Sequence, residues 1–231
     1  MFDGVRPWLA GERSLDRLNA LAENKDLKTD SGRPVRFVPP GAKNAYYEIK
    51  VYETGRVETR PDSLHDFFNA LAWLAFPRTK ARINALHAAE IPREGGRRGR
   101  LRDLLTIFDE GGAIVQCDDQ ELLELLAGSR WKALFWENRE RVRAAMRIVV
   151  IGHAVLEKAF EPRPGITCKI VAVPASGDPD AHGQAWLAKL APGATPRDLA
   201  PLPVFGFPGW LPQDEAFYDD ARYFRPSRQN G

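Results

Sequence analysis

Apolar residues recur every three or four positions in six segments of the chain, which is the pattern of helices with one buried face. The predicted helices cover residues 14–25, 64–76, 78–89, 119–126, 131–146 and 153–160. The first helix can be capped by Ser14, and the second by Asp62 or Ser63. A side-chain oxygen at this position accepts a hydrogen bond from a backbone N–H that the start of a helix leaves unpaired. Pro77 ends the second helix and suits the first turn of the third. These two helices should therefore meet at a corner.

Apolar and polar residues alternate in shorter segments, which is the pattern of strands with one buried face. One antiparallel hairpin is predicted from strands over residues 47–51 and 56–59. A second is predicted where LLTIF and AIVQC flank a turn over residues 109–112. Residues 166–173 are typical of a further strand, whereas residues 149–151 fit a strand or the middle of a helix.

Regular periodicity ends after residue 192, where proline and glycine interrupt the chain and aromatic residues are frequent. Aromatic side chains there should pack on the rest of the protein. They are Phe205, Phe207, Trp210 and Phe217. We predict an α+β fold of helices and short antiparallel hairpins, in a single domain over residues 1–231 with 192–231 as an irregular C-terminal wrap.

Charge and motifs exclude several classes of function. Thirty-three Lys and Arg against 31 Asp and Glu give a net charge of +2, which carries no strong nucleic-acid signal. The chain begins without the features of a secretory signal, and its longest apolar stretch, residues 67–76, is too short to cross a bilayer. We therefore expect a cytoplasmic protein that is not associated with a membrane. Nucleotide-binding glycine loops, an H-E-x-x-H zinc motif and a G-x-S-x-G elbow do not occur, and the sequence leaves the oligomeric state open.

The two cysteines show no metal-binding or disulfide spacing. Cys117 and Cys168 lie in apolar segments, so we interpret them as buried hydrophobic residues, with a nucleophilic Cys168 as the minor alternative.

Polar residues interrupt the two helices that meet at the corner. His65 and Asn69 are one turn apart on the apolar helix, and leaving either one buried without a partner would cost roughly 1–3 kcal/mol. Lys80, Asn84 and His87 form a stripe on the next helix, which is typical of a solvated face. The corner can nevertheless bring His65 or Asn69 near Lys80. The partners of these groups are either structural or functional.

Further candidate groups lie later in the chain. His153 and Glu157 stand four residues apart on a predicted helix, where they can bind one metal ion, fix a histidine tautomer, or form a structural pair. Arg102 belongs to an arginine-rich loop that suits phosphate binding, although such loops are usually solvated. Asp109 adds a carboxylate at the predicted turn.

A resemblance to a known family covers most of the chain, from about residue 46 to 226. The segments that carry it are TRPDSLHDFFNALAWLAFPRTKARINALH, RDLLTIFDEGG, WKALF, GHAVLEK, LPVFGFPGW and FYDDARYFRP. In this order they resemble an uncharacterised bacterial family, catalogued only as a domain of unknown function. The resemblance implies one domain, but it implies no activity, cofactor or site.

Two hypotheses follow from these residues. The first is a hydrolase, assisted by a divalent metal ion, that acts on a small anionic substrate with a phosphate or carboxylate group. Its catalytic residues would be His65, His153, Glu157 and Asn69; its substrate-binding residues Lys80, Asn84 and Arg102; and its metal ligands His65, Asp66, His87 and Asp109. The second is a non-catalytic binding or assembly protein with a buried His/Asn/Glu network and an exposed patch at Phe207 and Trp210. The first requires His65 and His153 to lie within about 10 Å of each other.

Overall fold

The fold is α+β, and the computed structural model describes residues 1–41, 46–95 and 97–226. Its helices in these ranges are α1 (Arg6–Leu9), α2 (Leu15–Asn24), α3 (Tyr47–Thr54), α4 (Leu64–Ala75), α5 (Pro77–Glu90), α6 (Arg100–Gly111), α7 (Gln120–Ala127), α8 (Arg139–Ala145), α9 (His153–Lys158) and α10 (Pro179–Ala188). Its strands are β1 (Arg36–Val38), β2 (Arg56–Glu58), β3 (Gly112–Gln116), β4 (Arg147–Val150), β5 (Thr167–Val173) and β6 (Ala200–Pro203).

A four-stranded sheet of order β4-β3-β5-β6 lies at the centre of the fold. β3 pairs in parallel with β5, with Ile114 opposite Val171, and antiparallel with β4. Every residue of β3 is buried, as expected for a strand covered on both faces. β6 completes the sheet antiparallel to β5, while β1 and β2 form a separate parallel pair.

The first predicted hairpin is wrong, because its first strand is the helix α3. Five residues of alternation do not distinguish a strand from a helix, and α3 buries Val51 one turn after Tyr47. Gly55 ends the helix with φ +71°, a left-handed conformation that glycine adopts without strain. β2 follows at once, but it pairs in parallel with β1 and not with residues 47–51.

The second predicted hairpin is also wrong, because LLTIF lies inside α6. The buried side chains of this helix recur at helical spacing, a pattern that begins before the segment predicted as a strand. They are Leu101, Leu104, Leu105 and Phe108. Asp109 therefore belongs to the last turn of a helix, and Gly112 begins β3 directly. The partners of β3 come from β4 and from the distant β5.

Most predicted helices are confirmed together with their caps. The Ser63 side chain accepts a hydrogen bond from the Asp66 amide at the start of α4, and Asp119 caps α7 in the same way. Residues 131–146 are helical but include a π-helical segment, Ala133–Glu137. The ambiguous residues 149–151 include the end of strand β4.

Helix α10 was not predicted, although Asp178 and Pro179 form a typical helix start. Its buried Asp180 accepts hydrogen bonds from the backbone amides of Arg78 and Thr79, at 3.0 and 2.8 Å. This contact from α10 satisfies the first turn of α5, which has no side-chain cap of its own.

The C-terminal segment packs on the core, and it is less irregular than expected because it contributes strand β6 to the sheet. Phe205, Tyr223 and Phe224 are buried in the core, and Phe207 and Trp210 are half-buried against it. The Trp131 indole donates a hydrogen bond to the Arg225 carbonyl at 2.7 Å, which fixes the end of the described chain. Within the described ranges, no helix has the length and apolar character needed to span a membrane.

Candidate functional site

Two histidines that are distant in sequence meet at the edge of a cavity. His65 lies in the first turn of α4, and His153 is the first residue of α9, directly after Gly152. Their Nε2 atoms are 3.2 Å apart and their ring centroids 4.7 Å. The distance required by the shared-site hypothesis is therefore satisfied.

Each of the two rings is anchored through its other nitrogen. His65 Nδ1 lies 2.8 Å from Glu157 Oε2, and His153 Nδ1 lies 2.8 Å from the Asp109 carbonyl oxygen. The predicted pairing of His153 with Glu157 is wrong, because α9 turns Glu157 toward α4 and the His153 ring toward α6. Glycine at position 152 permits this approach, since a Cβ there would lie 2.6 Å from the Gly111 Cα.

The positions of the ring hydrogens on His65 and His153 follow from the groups that face each nitrogen. A carbonyl oxygen only accepts, so His153 Nδ1 carries the hydrogen and the neutral ring presents a lone pair at Nε2. Burial lowers the pKa of His153 to about 4, with the Asp109 carboxylate opposing the shift, so the ring is neutral near pH 7. With His65 Nδ1 donating to Glu157, a neutral His65 would also present a lone pair at Nε2. Two lone pairs facing each other at 3.2 Å require a positive species between them, either a proton or a metal ion.

A buried ion pair lies beside the histidines. Lys80 Nζ donates to Asp109 Oδ1 at 2.5 Å and to Asn69 Oδ1 at 2.8 Å, and it stands 5.7 Å from the centre of the Trp73 ring. The predicted approach of Lys80 to Asn69 across the helix corner is confirmed, but the predicted solvated face is wrong, because Lys80 is 3% exposed. Burial would raise the pKa of Asp109, yet Lys80 and the neighbouring histidines lower it overall. The charge of Lys80 is thus balanced within the protein.

Asn84, predicted to bind substrate, instead holds a carboxylate that the sequence did not single out. Its Nδ2 donates to the Glu48 carboxylate at 2.8 Å and to the Glu48 carbonyl at 2.9 Å. Burial raises the pKa of Glu48, and the Asn84 hydrogen bond partly offsets this. Glu48 was missed because a strand over residues 47–51 would have turned it to the opposite face from Tyr47 and Val51. Helical spacing in this segment would have been the signal.

His87 lines the same cavity and contacts Arg102, which is not part of the lining. Arg102 Nε donates to His87 Nδ1 at 3.3 Å, and Arg102 Nη1 pairs with Glu94 at 2.9 Å. Burial lowers the pKa of His87 to about 4, so it is neutral near pH 7. Neither His87 nor Arg102 is bonded to the His65 and His153 pair.

Asp66, predicted as a metal ligand, forms an ion pair with an arginine. Both of its oxygens accept from the Arg60 guanidinium, at 2.7 and 2.9 Å, and one also accepts from the Arg60 amide at 2.8 Å. These bonds lower the pKa of Asp66 despite its partial burial, so it is an ionised carboxylate engaged in an ion pair.

These groups surround one open cavity of about 590 Å³, which we name the histidine cavity. Its polar lining is Tyr47, Glu48, Glu58, Arg60, His65, Asp66, Asn69, His87, Thr106, Asp109, Glu110 and His153. Among the residues that the structure describes, no three His, Cys, Asp or Glu side chains are grouped so that they could hold one metal ion. The fold brings the predicted catalytic residues together, but it gives the predicted metal ligands Asp66, His87 and Asp109 other partners.

The cysteines take no part in this cavity. Cys117 and Cys168 are both buried, and burial raises the pKa of both thiols. They act as small apolar side chains, as the main interpretation of the sequence predicted.

Comparison with known proteins gives a family and no activity. Neither the curated proteins nor the solved structures yielded a significant match to the chain. The model of one family, described as "Protein of unknown function (DUF3025)", matches residues 35–228. The matched range includes all the residues of the histidine cavity. Because the match covers most of the chain, the chain belongs to the DUF3025 family.

Proposed function

We propose that the chain is a metal-assisted hydrolase in which His65 and His153 bind a divalent ion at the edge of the histidine cavity. One observation carries this proposal: two Nε2 atoms converge while each Nδ1 faces an acceptor. Histidine ligands of metal ions generally donate their second N–H to a carboxylate or a backbone carbonyl, which orients the ring. Glu157 and the Asp109 carbonyl are one of each.

The distance between the two nitrogens suits a shared ion. Nitrogen ligands about 2.0–2.1 Å from zinc at a tetrahedral angle lie roughly 3.3 Å apart. The observed Nε2 to Nε2 distance is 3.2 Å. With two protein ligands, the remaining positions would be filled by water and by substrate, which leaves the ion open for chemistry.

The ion would carry the chemistry, and the neighbouring charged groups would position the helices around it. The ion would lower the pKa of its bound water and so supply a nucleophile near neutral pH. Lys80 is neutralised by Asp109, and Arg60 by Asp66, so the ion itself would attract a small anionic substrate carrying a phosphate or carboxylate group. Lys80, through Asn69 and Asp109, would act by holding α4, α5 and α6 in position.

The test is zinc binding by the chelator-treated protein, measured by isothermal titration calorimetry and by thermal melts. His65→Gln and His153→Gln are compared with His182→Gln, which alters a histidine outside the cavity whose ring bonds to the Ser176 carbonyl. We expect one ion per chain in the wild type and in His182→Gln, and none in the other two. Equal binding by all four proteins, or no binding by the wild type, would refute the metal site.

Hydrolysis is tested on the same four proteins with zinc added. The substrates are a chromogenic phosphate monoester and an N-acyl amino acid, which represent the two anionic classes. Turnover that requires zinc and disappears in His65→Gln and His153→Gln supports the proposal. Stoichiometric zinc binding without turnover of either substrate class would refute the hydrolase while retaining the metal site.

A non-catalytic binding or assembly protein is the second candidate. It is favoured because Asp66, Asn69, Lys80 and Asp109 are already paired with protein groups, as a structural network would be. Against it, Phe207 and Trp210 are half-buried on the core and form no exposed patch. This candidate predicts that His65→Gln and His153→Gln lower the melting temperature and that zinc changes nothing.

A further inference from the structure

A second and larger cavity, of about 1020 Å³, lies between β5, β6, the end of α7 and the C-terminal segment. Its basic lining residues are Lys169, Arg197, Arg222 and Arg225, and no Asp or Glu among the described residues lines it. We infer that this basic cavity binds a polyphosphate group, either free or as part of a small phosphorylated molecule. The inference goes beyond the proposed function and does not involve the histidine cavity.

The positive charge in the basic cavity is largely uncompensated. Arg222 pairs with Asp220 at 3.2 Å. Within the described residues, Lys169, Arg197 and Arg225 form no ion pair with a carboxylate. Three cations that face one space repel one another, and a bound polyanion would relieve this repulsion. Arginine and lysine are also the side chains best suited to phosphate oxygens.

Lys169 is the least exposed of the three unpaired cations. It lies on β5, between two paired strands, and it is only partly exposed. Its Nζ donates to the Leu199 carbonyl at 3.0 Å, which leaves two further N–H groups for a ligand. Burial lowers the pKa of Lys169, as expected for an ammonium group that has lost water without gaining a carboxylate. An anion in the cavity would supply that missing partner.

The walls of the basic cavity are held by specific bonds. Tyr223 donates its hydroxyl hydrogen to the Ile166 carbonyl at 2.8 Å, and the Trp131 indole donates to the Arg225 carbonyl at 2.7 Å. The short turn that carries Arg197 is closed by a capping box. These bonds hold the backbone segments that carry Arg197 and Arg225 before a ligand arrives, which reduces the entropy lost on binding.

The size of the cavity selects among anions. A cavity of about 1020 Å³ is much larger than one phosphate needs and lies at the upper limit of small-molecule sites, which is roughly 1,000 Å³. Cations on three separate segments, β5, the Arg197 turn and the C-terminal segment, suit a ligand with several linked phosphate groups. Inorganic tripolyphosphate and ATP are therefore the probes of choice, with sulfate as the single-anion comparison.

The experiment is calorimetric titration of the full chain with each probe at low ionic strength. Lys169→Met and Arg197→Gln each remove one cavity charge, and Arg56→Gln removes an exposed charge on β2, outside both cavities. We expect tripolyphosphate to bind more tightly than sulfate. Each cavity variant should weaken it by about tenfold or more, because one charge-assisted hydrogen bond is lost. Tighter binding of ATP than of tripolyphosphate would assign the site to a nucleotide. Equal affinity for the two probes would show that the site recognises the phosphate chain alone.

Two results would overturn the inference. One is the absence of tripolyphosphate binding by the wild type, and the other is equal weakening by Arg56→Gln and by the cavity variants. Arg197 is exposed, so its variant keeps the test valid even where Lys169→Met fails to fold. Zinc binding at His65 and His153 serves as a separate readout, and we expect neither cavity variant to change it.

Discussion

Acid should destabilise this protein in part through His87, and replacement by glutamine isolates that effect. His87 lies on α5, is 3% exposed, and accepts a hydrogen bond from Arg102 through Nδ1. Burial is the main cause that lowers its pKa to about 4; Asp109 opposes the shift and Arg102 adds to it. Gln keeps an acceptor for Arg102 but has no proton to gain, so His87→Gln removes the titration and preserves the contact.

The sign and size of the effect follow from the two pKa values. The unfolded histidine has a pKa of 6.5 and the folded one about 4, so the unfolded chain binds more protons between these values. The stabilisation is complete above the unfolded pKa and is lost as the pH falls toward the folded pKa. The full difference corresponds to about 3 kcal/mol, of which about 2 kcal/mol is lost by roughly pH 5.

The assay is urea unfolding of both proteins at neutral pH and near pH 5. His153, whose pKa burial also lowers to about 4, is present in both proteins, so its contribution cancels in the comparison. The free energy of unfolding should fall by about 2 kcal/mol less in His87→Gln than in the wild type. An equal fall in the two proteins would refute a buried, neutral His87.

Two further predictions concern the packing around the histidine cavity, and a third concerns the buried Cys168 on β5. Lys80→Met should lower the free energy of unfolding by about 3 kcal/mol because it leaves the Asp109 carboxylate without its cation, and adding Asp109→Asn should restore part of the loss in urea melts. Gly152→Ala should cost about 1–3 kcal/mol because the new Cβ would meet the Gly111 backbone, whereas Gly193→Ala, with open space around it, should change stability little. Cys168 should not react with a thiol reagent until the chain unfolds, since the thiol is buried and burial raises its pKa; rapid reaction in native buffer would contradict this.

Local chemistry was enough to predict the helices that carry the site. A cap such as Ser63 and an apolar run such as residues 64–76 act within one or two turns, so α4 and its corner with α5 followed from neighbouring residues alone. The same corner predicted the contact between Asn69 and Lys80, because only Phe76 separates α4 from α5 and Pro77 begins the second helix.

The same reasoning failed for short segments. Residues 47–51 alternate for only five positions, which both a strand and a helix allow, and α3 formed where its side chains could pack against α5. The pairing of β3 with β5 joins residues more than fifty positions apart, and no local pattern encodes such a register. The strands were therefore the least predictable part of the fold.

The sequence by itself determined which side chains are available: histidine, asparagine and lysine on helices that are otherwise apolar, and a glycine where α6 and α9 approach each other. Only the tertiary structure decided their partners. Glu157 faces His65 and not His153, Asp66 is held by Arg60, and Lys80 is neutralised by Asp109. A hydrogen bond depends on distance and direction in space, and these are fixed when distant helices pack, not by spacing along the chain.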